Sequence, residues 1–152
     1  MKHRLLATLG VLITLTLAAP ALLIAQPGNT PDYTPPPGAL NPAVTQANIY
    51  QTICVRGWTA TVRPPEQYTE ALKREQIRTR HLPGTVRDYQ EDHFIPLELG
   101  GNPTNPDNLW PQLWAQARRK DQWEYSLNRA VCSGRMSLSD ARQKIADPSL
   151  WW

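Results

Sequence analysis

Asp88-Tyr89-Gln90-Glu91-Asp92-His93-Phe94-Ile95-Pro96-Leu97-Glu98-Leu99-Gly100-Gly101, resumed at Asn108-Leu109-Trp110-Pro111, is the stretch on which the reading of this chain turns. An acidic pair abuts a histidine, a short apolar run that reads as strand comes next, Gly100-Gly101 reverses the chain, and Asn108-Leu109-Trp110 closes the unit. Carboxylate, imidazole and carboxamide within one hairpin-sized segment are the groups that metal binding and proton abstraction use. Alternation along a strand puts His93, Ile95 and Leu97 on one face and Asp92, Phe94 and Pro96 on the other. Asp92 and His93 are therefore expected to do different jobs, one holding a metal and the other facing a substrate. A lone Asp-His pair reads more readily as a surface carboxylate beside a structural histidine. The neighbouring residues make the difference: Gly-Gly at a turn, Asn108-Leu109-Trp110, then a helix.

Outward from this centre, Leu113 to Cys132 is the longest helical pattern, with Trp123, Leu127, Ala130 and Val131 predicted to share a buried face. Gly134 is a natural left-handed stop. Ser137-Leu138-Ser139-Asp140 opens a last helix that turns Leu138, Ala141 and Ile145 inward and ends at Asp147-Pro148. On the N-terminal side, Asn41-Pro42 predicts a short helix to about Ile53, and Thr59–Val62 reads as a short β-prone run stopped by Arg63-Pro64-Pro65. A polar helix is expected from Tyr68-Thr69 to about Thr79, with Leu72 and Ile77 inward and Lys73, Arg74, Arg78 and Arg80 outward. The fold class is α+β: a small helical domain around one hairpin-helix unit.

The chain has 152 residues, room for one domain and a terminal appendage, and a net charge of +3. An isoelectric point near 9.1 suits an anionic partner without naming one. Lys2, His3 and Arg4 precede an uncharged run from Leu5 to Ala25, with small residues that offer cleavage after Ala21 or Ala25. Residues 1–25 read as a secretory signal peptide, or as an anchor if left uncleaved, the only route to a membrane. Residues 26–40 are Pro-rich and read as an extended linker, and 41–152 as the folded domain. Export bears on the two cysteines, Cys54 and Cys132: in an oxidising compartment an even count is expected to bridge, two free buried thiols being the alternative.

Glu91-Asp92-His93, Gly100-Gly101, Asn108-Leu109 and the helix after them resemble the ββα-metal finger of HNH nucleases. More narrowly, the stretch from Asp92 to Gly101 with Asn108-Leu109-Trp110-Pro111 is similar to a group of exported bacterial HNH-like proteins. Gly57-Trp58, Arg63-Pro64-Pro65, Lys120-Asp121 and Val131-Cys132-Ser133-Gly134 share in that resemblance. It implies a metal-dependent endonuclease acting on DNA, or RNA, with little sequence preference. His93 would be the general base, Asn108 would orient it by hydrogen bonding, and Asp92 would bind a divalent cation. Where family members place a helix histidine, this chain has Ala117 and Arg118, so Asp121, one turn on, is the replacement ligand, with Glu124 a weaker candidate. Carboxylates of this kind suit Mg²⁺ or Mn²⁺ rather than Zn²⁺. Arg118, Arg119 and Lys120 would meet the phosphate backbone, or form a solvated basic face.

Overall fold

The computed structural model describes residues 31–152; the expected signal segment lies outside them. In chain order the elements are α1 (Trp58–Val62), α2 (Glu66–Thr79), β1 (Tyr89–His93), β2 (Leu109–Leu113), α3 (Trp114–Cys132) and α4 (Leu138–Ile145), with short 3-10 turns between them. The architecture is α+β, as expected. β1 and β2 pair antiparallel in the register Tyr89↔Leu113 to His93↔Leu109. A two-stranded ribbon is marginal alone; here α2 and α3 each pack against both strands. From α2, Lys73 Nζ donates to the Tyr89 carbonyl at 3.3 Å and Gln76 Nε2 to the Leu109 carbonyl at 2.9 Å. From α3, Lys120 Nζ donates to the His93 carbonyl at 2.7 Å. Pro111 is tolerated because each strand of a two-stranded sheet is an edge.

The strand ends at His93, earlier than the apolar pattern predicts. Phe94, Ile95, Leu97 and Leu99 are buried, but in a loop whose Leu97–Leu99 portion is a 3-10 turn. Pro96 cannot donate to a ladder, and Gly100 at φ 73° reverses the chain, so apolar burial here proceeds without pairing. Gly101 is required by proximity: a Cβ there would lie 1.7 Å from the Ile95 carbonyl oxygen. The core gathers the loop residues Phe94, Ile95 and Leu99 with Trp110, Leu127, Val131, Leu138 and Ile145. Phe94, Trp110 and Trp151 meet edge to face, with centroids 6.2 to 6.4 Å apart. Trp151 docks on the core, donating Nε1–H to the Ile145 carbonyl at 3.0 Å, while Trp152 stays exposed.

Several local expectations are corrected. Thr59–Val62 belongs to helix α1, because Gly57 in the left-handed region starts it and Arg63-Pro64-Pro65 ends it within two turns. The first helical segment is a 3-10 turn, Gln46–Gln51; Asn41 forms a turn with the Ala43 amide instead, and Asn48 Oδ1 caps the Thr45 amide. On α2 the buried residue is Lys73, paired to Glu70, rather than Leu72 or Ile77. On α3, Trp123 is exposed and the inward stripe runs Ala117, Lys120, Leu127, Val131. α4 agrees with its expectation, with Ser137 Oγ accepting from the Asp140 amide and Leu138, Ala141 and Ile145 buried. Residues 31–40 are extended but not free of the domain: Asp32 N bonds Arg80 O, Gly38 N bonds Asp107 O, and Leu40 bridges to Gly101. Cys54 and Cys132 form a disulfide, tying the segment before α1 to the end of α3 across 78 positions. Among the described residues no helix is long and apolar enough to cross a membrane.

Candidate functional site

Asp92 and His93 close β1 and are both buried, each only 6% exposed. They line one small cleft of about 140 Å³ together with Arg63, Gln90, Glu98, Asp121 and Glu124. Both residues border the same cleft from the last two positions of the strand, so the expected division of the pair between two separate surroundings is not seen. Arg63 follows directly on α1, the loop contributes Glu98, and α3 contributes Asp121 and Glu124.

The His93 ring is held by its own loop. Nε2 lies 3.0 Å from the Pro103 carbonyl oxygen, which only accepts, so Nε2 carries the proton and Nδ1 keeps the lone pair. Burial pushes the imidazole below its ordinary range, against the Pro103 bond and the Asp92 charge, which work to raise it. A neutral ring with a free Nδ1 at neutral pH is a proton acceptor.

Asn108 does not reach that ring. Its Oδ1 accepts from the Ile95 amide at 2.8 Å, and its Nδ2 donates to the carbonyls of Ile95 at 3.0 Å and Asn102 at 2.9 Å. Fully buried, it clamps both ends of the 95–102 loop, so any hold on His93 passes through the backbone. The backbone link is direct: the Phe94 amide donates to the Asn108 carbonyl at 2.8 Å.

Lys120 departs furthest from its expected place. It is fully buried rather than solvated, and its ammonium donates to Asp92 Oδ2 at 2.9 Å, the His93 carbonyl at 2.7 Å and Glu124 Oε1. Burial disfavours its charge, but Asp92 and Glu124 more than offset this, so it is held above its usual range. Burial pushes the Glu124 carboxyl up to about 7 in spite of Lys120. Asp121 is raised by burial and then by the Asp92 charge. Arg119 is exposed but anchors the C-terminus through Nε to the Trp151 carbonyl at 3.1 Å, and Arg118 is exposed. Neither lines the cleft.

The donors do not fit a divalent ion as they stand. Asp92 Oδ2 and Glu124 Oε1 are both engaged by Lys120, and Asp92 Oδ1 accepts a long hydrogen bond from Gln90 Nε2 at 3.4 Å. Among the described residues no three His, Cys, Asp or Glu side chains form a group arranged to hold a metal. Asp121 lines the same cleft as Asp92.

Arg63 and Glu98 are cleft residues that the sequence does not announce, and Lys120 is not the surface cation it was expected to be. Glu98 lies in the central stretch without an expected role there, and Arg63 reaches the cleft only through the fold. Lys120 does carry a local signal: Ala117, Lys120, Glu124, Leu127 and Val131 are spaced 3, 4, 3 and 4 apart, a helical stripe in which a lysine faces inward. No family model, curated protein or solved structure matches this chain.

Proposed function

We propose that the protein is an exported HNH-type endonuclease that hydrolyses phosphodiester bonds of DNA, or of RNA, with low sequence specificity. The observation that carries this is His93: at the end of the first strand of a strand-strand-helix unit, its Nε2 is fixed by a backbone carbonyl and its Nδ1 is left as a neutral acceptor. Nδ1 takes a proton from water, the water oxygen attacks phosphorus, and the opposite P–O bond breaks, its oxygen leaving with the electron pair and taking a proton from solvent. Arg63, exposed at the cleft, is the positive charge available to the phosphate. Asn108 and Gly101 keep the loop in the one shape that presents the ring. The disulfide is compatible with an extracytoplasmic location.

The resemblance also implies a divalent ion, which would polarise the scissile phosphate when bound. Asp92 and Asp121 are the residues first expected to hold it, and Asp92 is paired to Lys120. That pairing favours a second reading, an HNH-like module that binds nucleic acid or an envelope partner without cutting.

Plasmid incubated with the purified protein under Mg²⁺, Mn²⁺, Zn²⁺ or EDTA, with His93→Ala as control, separates the two. Nicking lost in His93→Ala supports the nuclease. Binding without nicking, indifferent to His93→Ala, supports the module.

A further inference from the structure

The structure assigns the cation position of this centre to Lys120: its ammonium stands where Asp92, Glu124 and the His93 carbonyl converge, and it keeps a divalent ion off Asp92. Two carboxylate oxygens and a carbonyl oxygen around one point are the oxygen donors that a hard cation takes. The occupant is instead the side chain of α3. Its contacts to Asp92 and the His93 carbonyl, 2.9 and 2.7 Å, have the lengths of charge-assisted N–H···O bonds. An ammonium has three donors, and here each has its own acceptor.

Lys120 is 0% exposed, so no water stands ready to replace these partners. An ion bound jointly by Asp92 and Glu124 would lie within a few ångströms of a buried positive charge, where screening is weak. Entry at Asp92 therefore requires the ammonium to leave a position in which all its donors are satisfied. Lys120 thus acts as a positioning residue. It ties the Asp92 carboxylate and the main chain of His93 to α3, a task that a metal would otherwise perform. Asp121 and Glu98, on the cleft wall, make no bond to Lys120. The ammonium keeps this place whether or not the cleft cuts DNA.

The test uses Mn²⁺ alone, titrated into the full chain and read by calorimetry and by electron paramagnetic resonance. Wild type is expected to show no saturable site at Asp92 below about 1 mM, and Asp92→Asn to leave the titration unchanged. Lys120→Ala, which frees two carboxylates and a carbonyl, is expected to bind Mn²⁺ at least ~10-fold more tightly, an increase abolished by adding Asp92→Asn. A tight wild-type site lost in Asp92→Asn overturns the inference, as does a folded Lys120→Ala that gains no affinity. Lys120→Ala leaves buried carboxylates without their counter-ion; if it does not fold, the comparison of wild type with Asp92→Asn decides alone. The titration reads binding and not cleavage, so this inference and the nuclease reading fail separately.

Discussion

Glu91→Gln should stabilise the protein at alkaline pH and leave it almost unchanged in mild acid. β1 places Glu91 opposite Pro111, next to Asp92 on the strand, and both its carboxyl oxygens are buried without a hydrogen-bond partner. Burial raises the carboxyl from 4.5 to about 8, with Lys73 working against the rise and Asp92 adding to it. Between those two values the folded protein keeps a proton that the unfolded chain gives up. The folded state thus binds more protons, and stability falls as pH rises through that window. At ~1.4 kcal/mol per pH unit the ceiling is about 5 kcal/mol above pH 8, and relaxation around a real carboxylate brings the expected difference to about 2–3 kcal/mol. Gln cannot ionise, so it escapes this loss. The assay is urea unfolding of wild type and Glu91→Gln at pH 4.5 and pH 9, monitored by tryptophan fluorescence with the disulfide kept oxidised. Other titrating groups are common to both proteins and cancel. An equal difference at both pH values, or a less stable Gln variant at pH 9, would refute the reasoning.

Three further outcomes are expected. Replacing Cys54 and Cys132 together by serine releases a loop of 78 positions and should lower stability by about 4–5 kcal/mol in the same unfolding assay. Asn108→Ala removes three side-chain bonds, two of them buried, and leaves groups of Ile95 and Asn102 unpaired; a loss of about 3 kcal/mol is expected, with nicking reduced per folded molecule. Gly101→Ala should fail to give a folded product by near-ultraviolet circular dichroism, because its Cβ would overlap the Ile95 carbonyl; a wild-type spectrum would contradict the loop's placement.

Where chemistry is written in local pattern, the sequence was legible. Ser137 before an apolar-periodic run marks the start of α4 and its inward face, and two cysteines in a chain read as exported point to the bridge. The long helix after Asn108-Leu109-Trp110 was likewise readable, but not the pairing of Tyr89–His93 with Leu109–Leu113 ahead of it. Short apolar runs were not. Phe94–Leu99 has the composition of a strand, yet Pro96 and the Gly100 reversal bury it as loop, because only tertiary contact decides such a case. Thr59–Val62 is β-branched at three of four positions and still helical, held between Gly57 and Pro64.

In the cleft, His93 and Asp92 were visible as residue types, but their partners were not. The role of Asn108 depends on where the Ile95 backbone passes. The role of Lys120 depends on which face of α3 meets β1. A basic run, Arg118-Arg119-Lys120, reads as one surface feature; helical geometry sends its third member to the interior while leaving the other two outside. Arg63 enters the cleft from a segment some thirty positions before His93, a proximity that no local spacing encodes.

The central claim is that His93 takes the proton in phosphodiester cleavage, and the most direct measurement is the plasmid-nicking rate of wild type and His93→Ala across pH. A fall of at least ~100-fold is predicted in the variant at unchanged fold. Because burial sets the imidazole below its ordinary range, the wild-type rate should already be level at neutral pH and decline only in acid. A His93→Ala rate within about two-fold of wild type, or a wild type that binds plasmid and never nicks it, would contradict the claim.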